Sequence, residues 1–196
     1  MTKYILNSGG IRNNIEGGKR FFTECVKDLG NNPNILICLF AYPREYWEEK
    51  FEELKHDNLY PEGVSPAFDL AFPDKFVEQT KNSNIIYIYG GDDYLLQSWF
   101  KNFDIPNVWD NKVVATNSAS SNFLSKHFWT CDWRKCMDGS GILPIKFIPH
   151  YDSNFGNNDP RGLIDWTNAY KELSEYGDKS LPVHALKEGE YIVFEK

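Results

Sequence analysis

The chain has 196 residues, enough for one domain with a substantial buried core and too few for two ordinary ones. Hydrophobic residues make up 41% and charged residues 25%, which excludes a disordered composition. The net charge of −7, with no Lys/Arg-rich run, excludes a duplex-binding surface, and no apolar stretch approaches the ~20 residues that span a bilayer.

Met1–Asn7 has a strand pattern over Tyr4–Asn7 and lacks the signature of a signal peptide, so the expected compartment is the cytoplasm. Gly9-Gly10 ends that strand, and Gly17–Leu29 follows with helical periodicity. Ile35–Phe40 is a continuous apolar run, as a strand buried on both faces of a parallel sheet requires. Pro43 opens a charged amphipathic helix to about Lys55. Ala67–Ala71 is a weaker strand, Asp74–Thr80 a short helix, and Ile85–Tyr89 a buried strand ended by Gly90-Gly91. Tyr94–Asn102 reads as helix, Val113–Thr116 as strand, Ala119–Phe128 as helix and Ile145–Ile148 as strand. Asp152–Gly162 is a loop that follows His150 and can line a site. Asp165–Tyr176 is a helix, and Pro182–Ala185 with Tyr191–Phe194 reads as a late strand pair.

Alternating short strands and helices predict an α/β fold over residues 1–196: a three-layer α/β/α sandwich, its central sheet mostly parallel, with an antiparallel edge near the C-terminus. Aromatic residues reach 16%, read as a bulky core rather than a stacking platform; they permit a homodimer interface without locating one. Cys25 and Cys38 sit among apolar neighbours and read as small core residues. Cys131 and Cys136, with His127 upstream, lack the spacing and ligand number of structural zinc, so no metal and no cofactor is expected.

In an open α/β sheet, ligands bind beyond the carboxyl ends of strands. Three such ends carry polar or glycine-rich segments: Gly90-Gly91-Asp92-Asp93, Asn117-Ser118-Ala119-Ser120 and Pro149-His150-Tyr151-Asp152. The second has the strand–turn–helix form of a nucleophile elbow, which exposes a serine hydroxyl and aims the next amide, that of Ala119, at a developing oxyanion. Ser118 is equally a favoured helix cap. His150 at a strand end gives the serine a base, which in turn needs an acid to orient it. Gly90-Gly91 suits a turn whose amides approach a ligand, or is simply a turn. Ser8-Gly9-Gly10 lacks the three-glycine spacing of a dinucleotide loop.

Taken in order, Asn7-Ser8-Gly9-Gly10, Tyr87-Ile88-Tyr89-Gly90-Gly91-Asp92, Asn117-Ser118-Ala119-Ser120, Gly141-Ile142-Leu143-Pro144, Pro149-His150-Tyr151-Asp152 and Ala185-Leu186-Lys187-Glu188-Gly189 resemble the dipeptidase E family of serine peptidases along nearly the whole chain. The resemblance implies a class I glutamine amidotransferase-like fold and hydrolysis of small peptides, including dipeptides with an N-terminal aspartate. It implies Ser118 as nucleophile, His150 as base, and Gly91 with the Ala119 amide as oxyanion hole. Gly90 and Asp92 would border the substrate. For the acid it points to Asp132, with Asp138 as competitor and Asp152 less favoured. Arg161 would hold an acidic substrate side chain, or form a surface ion pair. Thr116, Ser120 and Asp92 stand where the family has glycine, glycine and asparagine, so a catalytically impaired, ligand-binding member is the alternative. An amidotransferase-like domain working with a partner enzyme fits less well, because serine stands where that chemistry uses cysteine.

Overall fold

The computed structural model describes residues 1–57 and 59–196. Ten strands and six α-helices follow in chain order: β1 Lys3–Asn7, α1 Ile15–Val26, β2 Asn34–Cys38, α2 Trp47–Lys55, β3 Ala67–Leu70, α3 Phe76–Lys81, β4 Ile85–Ile88, α4 Asp93–Phe100, β5 Val113–Asn117, α5 Ala119–Leu124, β6 Ser125–Thr130, β7 Lys135–Asp138, β8 Leu143–Ile148, α6 Trp166–Glu175, β9 Val183–Ala185 and β10 Tyr191–Glu195.

The main sheet has six strands in the order β10-β1-β5-β4-β2-β3. All neighbours are parallel except β10, which runs antiparallel to β1 with Asn7 opposite Tyr191. Every residue of β4 and β5 is buried, so both faces of the sheet centre are covered, as their continuous apolar runs require. Phe21 and Phe22 of α1 pack on Tyr87, which marks one face; Ile86 and Ile88 point to the other. The aromatic residues form much of this core: Trp47, Trp109, Phe40, Phe76 and Phe100 are all fully buried.

The C-terminal half departs from the sequence expectation. Helix α5 stops at Leu124, and Ser125–Thr130 is strand rather than more helix. The Ser125 hydroxyl donates to the Asn122 carbonyl at 2.7 Å, competing for the helix ladder, and Phe128, Trp129 and Thr130 beyond it are residue types that favour a pleated surface. Strand β6 then nucleates a second sheet, β7-β6-β8-β9, in which β8 runs parallel to both β6 and β9. The expected late strand pair is therefore divided: β9 lies in the small sheet and β10 edges the large one. None of the described helices is long and apolar enough to cross a membrane.

Candidate active site

The carboxyl ends of β1, β5 and β4 lie side by side, with Asn7 opposite Asn117 and Ile88 opposite Thr116. Ser118 follows β5 directly and has φ +55°, ψ −112°, a strained conformation for a residue with a side chain. It is held there from several directions. Its amide donates to the Asn7 carbonyl at 3.0 Å, and the amides of Ser121 and Asn122 donate back to its own carbonyl at 2.8 and 3.0 Å. The two residues standing in place of elbow glycines join this bracing. Thr116 Oγ1 donates to the Ile5 carbonyl at 3.2 Å and lies 2.8 Å from Ser121 Oγ. Ser120 Oγ accepts from the Asn117 amide at 2.7 Å and reaches the Ile88 carbonyl of β4. Both side chains point into hydrogen-bonded space between strands, so neither crowds the elbow. Room for Ser118 comes instead from Gly90, where a Cβ would overlap the Asn117 carbonyl and sit 3.1 Å from Ser118 Cβ.

Ser118 Oγ lies 3.0 Å from His150 Nε2. His150 arrives from the second sheet, at the end of β8, so the strand ends bearing serine and histidine are not neighbours in one sheet as their chain order suggests. Ser8 bridges the gap: its hydroxyl donates to the Leu186 carbonyl at 2.7 Å and accepts from the His150 amide at 2.7 Å. His150 itself has φ +54°, and Phe155 of the following loop stacks on its ring at 4.2 Å. That loop does line the site.

On the far side of the imidazole, His150 Nδ1 meets Glu188 Oε1 at 3.0 Å. The carboxylate partner expected at Asp132 or Asp138 is thus Glu188, in the segment joining β9 to β10. The His150 hydrogen bond is the largest cause holding the Glu188 carboxyl below its ordinary pKa. Asp138 is committed elsewhere, 2.6 Å from His127 Nδ1, while His127 Nε2 accepts from the Asp178 amide. Asp132 is exposed and within electrostatic reach of His150; desolvation of its carboxyl end raises its pKa, and the His150 charge opposes that rise. In the sequence Glu188 stands only as a member of the segment Ala185-Leu186-Lys187-Glu188-Gly189; nothing local distinguishes a loop glutamate from a half-buried partner of His150. Nothing in the sequence ties Gly9 and Gly10, at the end of β1, to His150 or Glu188. A Cβ on Gly9 would overlap the His150 ring, and one on Gly10 would sit 2.7 Å from Glu188 Cβ, so these glycines leave the space the pair occupies.

Gly91 (φ +149°) fits against Ala41 and Tyr42, where a Cβ would lie 2.6 Å from the Ala41 carbonyl oxygen. Among the described residues neither the Gly91 nor the Ala119 amide donates to a protein acceptor, as an oxyanion pair requires. Asp92 caps α4 by accepting from the Leu95 amide at 2.7 Å, which explains an acid at that position. Asp93 beside it is buried and ties three pieces together, accepting from Asn122 Nδ2 of the elbow helix at 3.0 Å and from Thr130 Oγ1 of β6 at 2.6 Å.

Burial is the largest cause pushing the Asp93 carboxyl up to about 6, against the two hydrogen bonds that favour its charge. Because the folded value lies above the unfolded one, the native state binds the extra proton, and stability is lost as pH rises between about 4 and about 6. Asp93→Asn, which can still pair with both partners, is expected to stabilise the fold by about 2 kcal/mol near pH 8, roughly 4–8 °C in Tm. The gain should vanish below about pH 4. Thermal melts at the two pH values check this, and an equal shift at both would refute the charge argument.

Arg161 points away from an anchoring role. Its Nε donates to Asp159 Oδ1 at 2.9 Å and its Nη2 to the Asp132 carbonyl at 2.8 Å, the ion-pair alternative raised by its sequence context. Gly90, Gly91, Asp92, Ser118, Ala119, Asp132 and His150 all border one region at the strand ends, Ser118 and His150 in direct contact.

No family model matches the sequence, and no curated protein matches it. Solved structures do. A peptidase from an acI-B1 Actinobacterium superposes with a TM-score of 0.64 at 24% identity, over 99% of this chain and 83% of the other. A protein from Listeria monocytogenes EGD-e that carries the name "Putative Peptidase E Protein" superposes with a TM-score of 0.64 at 13% identity, over 99% of this chain and 94% of the other. The chain therefore has a peptidase E-like fold.

Proposed function

We propose that the chain is a serine-type hydrolase of small peptides. The observation that carries this reading is the hydrogen-bonded series Ser118 Oγ–His150 Nε2 and His150 Nδ1–Glu188 Oε1, hung on a serine with positive φ. His150 Nε2 accepts the hydroxyl proton as Ser118 Oγ attacks the peptide carbonyl carbon. Glu188 fixes the proton on Nδ1, so that Nε2 keeps its lone pair, and balances the imidazolium that forms. The Gly91 and Ala119 amides receive the oxyanion. Collapse of the tetrahedral species passes the proton from Nε2 to the leaving amine and leaves an acyl ester on Ser118, which water then cleaves with His150 again as base. The likeness to the peptidase structures supports the same class of reaction. Preference for an N-terminal aspartate, implied by the sequence resemblance, would need a free cation, and Arg161 is engaged by Asp159. Bracing by Thr116 and Ser120 removes the main argument for a binding-only protein.

A panel of dipeptides, aspartyl dipeptides included, with the wild type beside Ser118→Ala tests the proposal. Turnover should appear in the wild type and fall at least about 10³-fold in the variant. Equal turnover in both would remove Ser118 from the mechanism.

A further inference from the structure

The His150 imidazole is held at both nitrogens, by Ser118 Oγ and by Glu188 Oε1, each at 3.0 Å. Both contacts act in the ring plane, so a tilt of the ring about the line joining its nitrogens strains neither. Phe155 restrains that tilt. Its ring lies 4.2 Å from the imidazole between centroids, with the two planes 25° apart. The chain reaches this position by turning sharply after β8: His150 and Asp152 both have positive φ, +54° and +55°. The Phe155 amide then donates to Ser153 Oγ at 3.1 Å. Its side chain packs, with Tyr151 and Trp166, on the small-sheet cluster that contains Trp129 and Ile148. The segment is tied at both ends. At the near end, Trp166 Nε1 of α6 donates to the Ser153 carbonyl at 3.1 Å, and Lys187 Nζ meets Asp152 Oδ2 at 2.7 Å. At the far end, Arg161 Nη2 donates to the Asp132 carbonyl, in the turn between β6 and β7, at 2.8 Å. Arg134 of the same turn donates from Nη1 to the Arg161 carbonyl at 3.3 Å, and its Nη2 lies 3.8 Å from Asp159 Oδ2.

We propose, resting on the hydrolase reading above, that Phe155 is a positioning residue for His150 and that Arg161 latches the strap that carries it. The stacked ring keeps Nε2 aimed at Ser118 while the two hydrogen bonds set its distance. Its contact also strengthens during the reaction: as the imidazole takes the serine proton it becomes a cation facing an aromatic π surface, which attracts positive charge. An interaction that grows toward the transition state shows its loss in kcat rather than in KM. Arg161, with its Nε fixed by Asp159 at 2.9 Å, serves in this role every peptide alike, whatever its N-terminal residue.

Proton NMR of histidine-labelled protein reads the contact without any substrate, the His150 ring signals being identified by their loss in His150→Gln. Ring current from Phe155 should displace those signals upfield in the wild type and in Phe155→Tyr. The displacement should vanish in Phe155→Leu and shrink in Arg161→Met. On a panel of alanyl and aspartyl dipeptides, Phe155→Leu should lower kcat roughly tenfold with KM unchanged, and Phe155→Tyr should retain the wild-type value. Arg161→Met should lower kcat on both substrate types by the same factor. Absence of the displacement in the wild type, or an unchanged kcat in Phe155→Leu, overturns the positioning role. A rise in KM confined to aspartyl dipeptides in Arg161→Met overturns the latch. A displacement that responds to both variants, in a protein whose wild type turns over no peptide, would sustain the strap's hold on the ring and sink the hydrolase.

Discussion

Replacing Glu188 by glutamine is expected to lower kcat by about 10²–10⁴ with little change in KM. Glutamine fills the same volume but can present its amide N–H to His150 Nδ1. The imidazole then carries its proton on Nε2, facing Ser118 Oγ with a donor where an acceptor is needed. The present 3.0 Å contact fixes the opposite tautomer only because the carboxylate is acceptor-only when ionised. Since the His150 hydrogen bond, the largest cause, holds its pKa down, Glu188 stays charged above the ordinary glutamate range. The stability it contributes is present above that range and is lost as pH falls through the lowered value. Asp132→Asn should leave the tautomer intact and cost far less. Steady-state kinetics of the two variants decide the matter, and the reverse order of severity would return the orienting role to Asp132.

Gly9→Ala should be nearly as damaging, for a different reason. The added methyl would occupy the space of His150 Cε1 and Nε2, on a backbone with φ +110° that a side chain rarely tolerates. The ring would have to leave the serine, and we expect kcat to fall by at least about 10²-fold, the scale on which misplacement by about 1 Å is felt. Gly30→Ala isolates the backbone contribution. Gly30 has φ +74° and nothing within 4 Å of an added Cβ, so it should cost stability alone, about 1 kcal/mol, with activity per folded molecule unchanged. Comparable losses of kcat in both variants would mean that general destabilisation, and not the approach to His150, is what the Gly9 substitution reports.

The parallel half of the fold was legible because its strands are continuous apolar runs, such as Ile85–Ile88, bounded by glycine pairs or helix caps. Ser118 and His150 were legible for a related reason: a polar residue straight after a buried strand stands at a sheet's carboxyl edge, and chemistry restricts which types can act together there. Pairing between distant strands was not legible. Nothing in Pro182–Ala185 says that it will join β8 rather than its own chain neighbour, because a three-residue strand carries too little pattern to fix a partner. Glu188 was hidden by the same ignorance. Once β9 is placed beside β8 and β10 beside β1, the intervening turn must cross the end of β1, and the glutamate comes to lie between Gly10 and His150. Asp132 looked better because it follows the serine by roughly one element, but Ser125–Thr130 continues as strand and sends it to the rim.

Ser8, Gly9 and Gly10 hold Leu186, Glu188 and Gly189, so the first strand end and the segment leading into the last strand close the site on each other. Gly9 accepts from the Gly189 amide at 2.8 Å, and Ser8 donates to the Glu190 carbonyl at 3.0 Å. These contacts span almost the largest sequence separation the chain offers, and such contacts bring the greatest loop-closure cost during folding. Their support, β10, is an edge strand whose residues are all partly exposed, whereas β4 and β5 are sealed in the core. Edges of this kind open at lower free energy than the whole molecule unfolds. Detachment of β10 alone is expected to carry Glu188 away from His150 and leave the buried sheet standing, which would make the Ser118–His150–Glu188 geometry and the core separate cooperative units.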